Sequence, residues 1–359
     1  MRLQVFAVLL LSAFCYSQQV PVAPVPSDPH ELATGVIKVL DETDQRATVL
    51  GLIERARQNS DLHAPAGHPF ELKVSFDAAG DVSQTGHGQM EELWLEAFKW
   101  RWTATFGSYV QTRLMNGRMY DETPSFLPLR LQMVRGAIFW PIHTQPNELL
   151  RIAPGTWNGS PVMCVLGSFP RFMAQNSLGR NWEESEFCID TKSGLLQTYS
   201  VAPGIYAVYD YQNPVRFHAS MLPRTITIYE SGSVVLTIHV DSLTDPGQVD
   251  PTLLQPTPKM LSQGTGPVIA GGYRMIVPGG PSPAPIKSIQ PVIVHALLNS
   301  EGKVEEAESL QTADPTLSSA AVSLVKNSTY MPQQQGRPLQ REAFIDVRFV
   351  PPAPSQAGQ

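Results

Sequence analysis

The chain has 359 residues, 42% of them hydrophobic and 16% charged, with a formal net charge of −6. That length suits about two domains of roughly 100–200 residues each, and the hydrophobic share is enough for a sizeable core. Sparse Lys and Arg on an acidic chain argue against a nucleic-acid binder, and no run beyond the N-terminus supplies the roughly 20 apolar residues that span a bilayer.

Residues 1–17 read as a secretory signal. Met1-Arg2 is a minimal positive start, Leu3 to Phe14 a short apolar stretch, and Cys15 and Ser17 are the small residues a signal peptidase reads. An uncleaved anchor and a lipidated Cys15 are the alternatives, the second opposed by Phe14 where a small residue is needed. Cleavage leaves Cys164 and Cys188, and an even pair in an exported chain reads as a disulfide, with two unpaired buried thiols as the alternative. The closed loop is worth on the order of 3 kcal/mol in the chain-entropy model. No His, Asp or Glu surrounds both cysteines at ligand spacing, so neither a metal nor a cofactor is expected.

Residues 18–30 are Pro-rich and read as extended. Asp44 to Ala56 carries Val49, Leu52, Ile53 and Ala56 on one helical face. From Pro69 the period changes to two: Phe70, Leu72, Val74 and Phe76 alternate with polar residues, which predicts a strand with one wet face. Gly86 to Leu95, Lys99 to Phe106 and Tyr109 to Leu114 continue as an antiparallel meander, and Asn116-Gly117 signals a two-residue hairpin. Part of Pro124 to Phe139 reads as helix. Strands resume at 162–166, 186–190, 195–201, 206–211, 216–219, 225–230 and 234–240.

Residues 256–285, dense in Pro and Gly, read as a linker. Residues 286–350 form a smaller β-β-α-β unit. It has a largely apolar first strand from Val292 to Leu298 and a return from Val304. Asp314-Pro315 is a helix start and Phe344 to Phe349 a last strand. Residues 351–359 are a Pro-rich tail. The fold class expected is α+β: an antiparallel open barrel or half-barrel with covering helices over 31–255, plus the small unit.

Two resemblances grow from these strings. The small unit resembles a TonB C-terminal domain in the order of Pro291-Val292-Ile293-Val294-His295-Ala296, Gly302-Lys303-Val304, Ala320-Ala321, Tyr330-Met331-Pro332, Gly336-Arg337-Pro338 and Ile345-Asp346-Val347-Arg348-Phe349. The family's usual Trp before the Tyr-x-Pro segment is replaced by Asn327-Ser328-Thr329. More loosely, residues 31–255 are similar to LolA/LolB-like lipoprotein carriers. The strings are Lys99-Trp100-Arg101-Trp102, Gln111 through Asn116-Gly117 to Asp121, and Phe187-Cys188-Ile189-Asp190 through Gly194-Leu195. The first resemblance implies an energy-transducing or protein-binding module that takes an envelope partner, such as an outer-membrane receptor, by β-strand addition. The second implies a periplasmic carrier whose cavity holds a lipid or lipoprotein acyl chain.

Candidate residues follow. Trp94, Trp100, Trp102 and Phe106 are either an apolar cavity wall or ordinary barrel core; the last three share strand parity. Phe344, Ile345, Asp346, Val347, Arg348 and Phe349 are the expected partner-binding edge strand. His63 and His68 read as a solvated turn, with metal ligation as the alternative, and His295 as a packed or rim histidine. Glu91-Glu92 and Glu183-Glu184 face opposite ways on a strand and make no acid/base dyad. With neither Gly-x-Ser-x-Gly nor His-Glu-x-x-His in the sequence, no catalytic residue is expected. The leading expectation is a non-enzymatic envelope protein that binds a partner by strand addition. The rival is a carrier of an apolar ligand.

Overall fold

The computed structural model describes residues 30–33, 37–40, 43–64, 67–123, 126–139, 142, 148–168, 180–263, 268–310, 314–330 and 339–352. The predicted signal, nearly all of the 18–30 segment, most of the tail, and Met331-Pro332 and Gly336-Arg337-Pro338 lie outside these residues.

Period-two alternation builds the large sheet. In β2 (Phe70–Ala78) the apolar parity is buried and Lys73 and Asp77 face water; β1 is the short Lys38–Val39. The meander β3 (Gly86–Glu96), β4 (Lys99–Phe106), β5 (Tyr109–Asn116) and β6 (Arg118–Asp121) follows as predicted. Gly117 takes φ 70° at the β5–β6 turn, the conformation for which the Asn-Gly signal stands. Strands β7 (Leu149–Trp157), β8 (Ser160–Ser168), β9 (Ser185–Asp190), β10 (Leu196–Ser200) and β11 (Ile205–Asp210) come next in sequence. After a separate small hairpin, β12 (Val215–Phe217) with β13 (Ser220–Leu222), the chain adds β14 (Thr225–Glu230) and β15 (Ser233–Thr244). The result is one 13-stranded antiparallel sheet ordered β1-β7-β8-β9-β10-β11-β14-β15-β2-β3-β4-β5-β6. Its end strands, β1 and β6, do not pair with each other, so the sheet is open.

β7 was not expected, because Pro154-Gly155 interrupts its pattern. Continuous pairing with β8, from Leu149↔Ser168 to Trp157↔Ser160, overrides that local signal.

Helices α1 (Thr43–Ser60) and α2 (Leu129–Phe139) cover the sheet's inner face. The core joins Val49, Leu52, Ile53 and Ala56 of α1 to Leu129, Leu131, Val134 and Ile138 of α2. Against them lie Phe70, Leu72, Met90, Trp102, Phe187, Ile226 and Ile238 of the strands.

The small unit differs from expectation in two ways. Residues 256–285 are not a bare linker. They hold α3 (Pro258–Gln263) and a 14-residue strand, β16 (Val268–Pro281). Tyr273, Met275 and Val277 supply strand-forming side chains, and the glycines and prolines fall largely at two register shifts, Ala270/Tyr273 and Pro278/Gly280. With β17 (Gln290–Leu298), β18 (Val304–Ser309), α4 (Pro315–Lys326) and β19 (Leu339–Val350) the unit forms a four-stranded sheet ordered β16-β19-β17-β18. Asp314 caps α4 as expected, accepting from the Thr316 and Leu317 amides.

The second difference is β19. Phe344, Ile345, Asp346, Val347, Arg348 and Phe349 are not an edge: β16 pairs parallel on one side and β17 antiparallel on the other. Every residue from Phe344 to Val347 is fully buried, as befits a central strand.

Candidate functional site

The inner face of the large sheet is the principal candidate. Trp94, Trp102 and Phe106 lie in its core, Trp102 at 1% exposure and Phe106 at 0%, while Trp100 is partly buried against them. Trp94 pairs with Trp100 across β3 and β4, and stacks on Phe70 at 5.6 Å. The four sequence-predicted aromatics therefore come together on one apolar surface, and α2 fills it. All of α2 except Gly136 is buried, including two arginines. A helix apolar nearly all round is one that packs inside.

Both arginines are paired. At the C-terminal half of α2, the Arg135 guanidinium lies over Trp102 at 4.9 Å and Phe139 at 5.2 Å, and donates to Glu92 Oε2 at 3.0 Å. His63 donates from Nε2 to the other Glu92 oxygen at 2.8 Å and stacks on Phe139 at 4.4 Å. Burial opposes the Glu92 charge, but the Arg135 and His63 contacts outweigh it and hold its pKa below the ordinary carboxylate value. His63 is thus a packed partner and not part of a solvated turn. His68 instead stacks on His218 at 3.8 Å.

At the N-terminal half, Arg130 donates to Glu230 Oε2 at 2.8 Å, to Ala79 O at 3.0 Å and to Glu308 of the small unit. His295, wholly buried, reaches Glu230 Oε1 at 2.8 Å through Nδ1 and Glu342 Oε1 at 2.9 Å through Nε2, and its ring stacks on Phe344 at 4.7 Å. Burial disfavours the imidazolium, yet the two carboxylates raise the pKa of His295 to about 9. Glu230, against the same burial, is held down to about 2 by His295 and Arg130. Burial and the neighbouring Glu230 carboxylate push Glu308 up to about 7.

Sequence reasoning missed Arg130, Arg135, Glu230, Glu306 and Glu308. A readable signal existed: Glu92 shares parity with Met90 and Trp94, Glu230 with Ile226 and Ile228, and His295 with Ile293 and Leu297. A charge on the apolar parity of a strand needs a buried partner.

On the outer face, Cys164 and Cys188 are directly opposed across β8 and β9 and form the predicted disulfide. It lies beneath Ala33 and Ile37. Glu186 beside it accepts from the Leu32 and Ala33 amides at 3.3 and 3.1 Å. Cys164, Glu186 and Cys188 are the one metal-ligand grouping among the described residues, and their sulfurs are bonded to each other. Two outer-face clefts lie along residues 246–255, of about 300 Å³ beside Glu71, Glu91 and Arg101 and about 240 Å³ beside Leu95 and Lys99. Neither is lined by the aromatic set. Among the described residues, no helix is long and apolar enough to cross a membrane.

No family model matches the chain, and a search of curated proteins finds no match. Among solved structures, a LolA superfamily protein from Nitrosomonas europaea is similar at 11% identity and TM-score 0.38, covering 57% of this chain and 96% of its own. A domain provisionally described as an outer membrane lipoprotein-sorting protein, from Vibrio parahaemolyticus, is similar at 8% identity and TM-score 0.35, covering 56% of this chain and 97% of its own. Neither is a TonB C-terminal domain.

Proposed function

We propose that the protein is an exported, non-enzymatic carrier of an apolar ligand, an acyl chain or lipid, held on the inner face of the large sheet in the periplasm. The observation that supports this reading is the α2 arrangement. The aromatic patch of the inner face is covered by the short helix α2, beside α1, and the two charges of α2 are neutralised by residues placed around the lining. Displacing α2 leaves an apolar trough whose natural occupant is another apolar body. Strand addition at β19 is disfavoured, because the chain's own β16 and β17 fill both sides of that strand.

Native mass spectrometry of protein purified from its own cells tests the proposal. A co-purifying lipid, and displacement of it by dansylated undecanoic acid with enhanced dansyl emission, is the expected result. Protein that emerges empty and gives no dansyl response sinks the reading.

A further inference from the structure

We infer that the small unit is a latch on α2, so that the inner face opens only when the small unit lets go. This rests on the carrier reading for its purpose, though not for its geometry.

The latch is built at the N-terminal end of α2. The first amides of a helix have no intrahelical acceptor. Here the Leu129 amide donates to Glu306 Oε2 at 3.1 Å, and the Leu127 amide just before the helix donates to Gln340 Oε1 at 3.0 Å. Both acceptors belong to the small unit, one on β18 and one on β19. A carboxylate at this end also meets the positive end of the helix dipole. The next residue, Arg130, is shared between Glu230 of the large sheet and Glu308 of the small unit.

Apolar contact runs the same way. Ile293, Leu297, Leu310 and Phe344 of the small unit join the core that contains α2, whereas Val292, Val294, Ile345 and Val347 pack in a separate core with α4. Two left-handed glycines permit the approach. A Cβ on Gly80 would strike the Arg130 guanidinium and lie 2.8 Å from Glu308 Oε1, and one on Gly204 would strike the Leu310 carbonyl. The C-terminal half of α2 depends on the large sheet instead, through Arg135 to Glu92 and Tyr209 Oη to the Ala137 carbonyl at 3.3 Å. The C-terminal end of the helix is therefore anchored by the sheet alone, while the N-terminal end is held by the sheet through Arg130 and by the small unit through Glu306, Gln340 and Glu308. The second end is the one that can be released without breaking the sheet.

Hydrogen exchange on the full chain, read by mass spectrometry, tests the latch, with Glu306→Ala/Gln340→Ala and the milder Glu306→Gln as variants. Amides of 129–136 are expected to exchange at least tenfold faster in the double variant and to a lesser degree in Glu306→Gln, with β14, β15 and β17 unchanged. Unchanged protection of 129–136 overturns the latch. So does an equal loss across β14 and β15, since the contacts would then hold the whole fold. Dansylated undecanoic acid separates the two proposals: faster exchange without any gain in dansyl binding leaves the latch standing and removes the carrier reading.

Discussion

His295 Nδ1 lies 2.8 Å from Glu230 Oε1, and the contact crosses from the small sheet to the large one. Arg130, Glu230, Glu308, His295 and Glu342 meet there, so docking of the small unit depends on pH. His295, raised to about 9, contributes fully below its ordinary 6.5, and its contribution is lost as pH rises through 9. Glu308, raised to about 7, favours docking when protonated, and that share is lost between its ordinary 4.5 and 7. Glu230, lowered to about 2, acts oppositely: its contribution is present above 4.5 and lost as pH falls through 2. Docking should be firmest near pH 5 and weaken steadily to pH 9. Exchange protection of β18 and of residues 129–136, measured from pH 5 to 9.5 after correction for intrinsic rates, should fall with pH; a flat or rising profile contradicts this account.

Removing Glu230 takes one of two carboxylate partners from each of two buried cations, leaving Arg130 with Glu308 and His295 with Glu342. Glu230→Ala should cost about 3–5 kcal/mol of stability, because two charge-assisted hydrogen bonds of about 1.5–3 kcal/mol each are lost. Triple replacement of Arg130, Glu230 and His295 by apolar residues of similar volume should cost far less than the single change. Urea unfolding of both variants provides the comparison, and a single-variant loss under 1 kcal/mol would show that the cluster is hydrated and carries little weight.

The large sheet was legible because one face is wet: alternation in β2, the Asn116-Gly117 turn and the even cysteine pair are all local signals. β16 was not legible. Its glycines and prolines suit a linker locally, and only its pairing partner β19, some 70 residues later in the chain, makes it a strand. The place of β19 was misread for the same reason, since sheet order is a non-local property and one strand's sequence does not show its neighbours. The aromatic set was found from parity, while the charged clamps on α2 were overlooked because each arginine's partners lie on distant strands, Glu92, Glu230 and Glu308.

Exposure separates the roles of the two neighbouring tryptophans. Trp102 is closed off beneath Arg135, whereas Trp100 is only partly buried. Trp102→Ala should lower stability by about 3–5 kcal/mol, and Trp100→Ala by under half of that. Thermal unfolding with matched fluorescence spectra checks the ranking; equal losses would mean that the two rings see the same environment.

The disulfide closes a sequence separation of 24 residues, with both cysteines at 0% exposure. Replacing both by alanine should cost about 3 kcal/mol, chiefly by freeing the unfolded chain. Reductant should act on the native protein only as fast as β8 and β9 open, so thiol labelling should track unfolding. Labelling far faster than unfolding would show that Leu32, Ala33 and Ile37 do not seal the pair.

Proline substitution distinguishes a central strand from an edge. Val347 stands opposite Val277 of β16 and Val292 of β17, so its backbone lies between two paired neighbours. Proline there removes a ladder donor and forces φ in the middle of a sheet, where proline is essentially confined to edges and bulges. Val347→Pro should unfold the small unit. Ile276→Pro, on the edge strand β16 where the side chain is 45% exposed, should be tolerated better. Limited proteolysis of the two variants, with cleavage sites mapped within 286–350, gives the readout. Equal resistance in both would mean that β19 keeps its place without the β16 pairing, and would reopen that side of the strand to a partner.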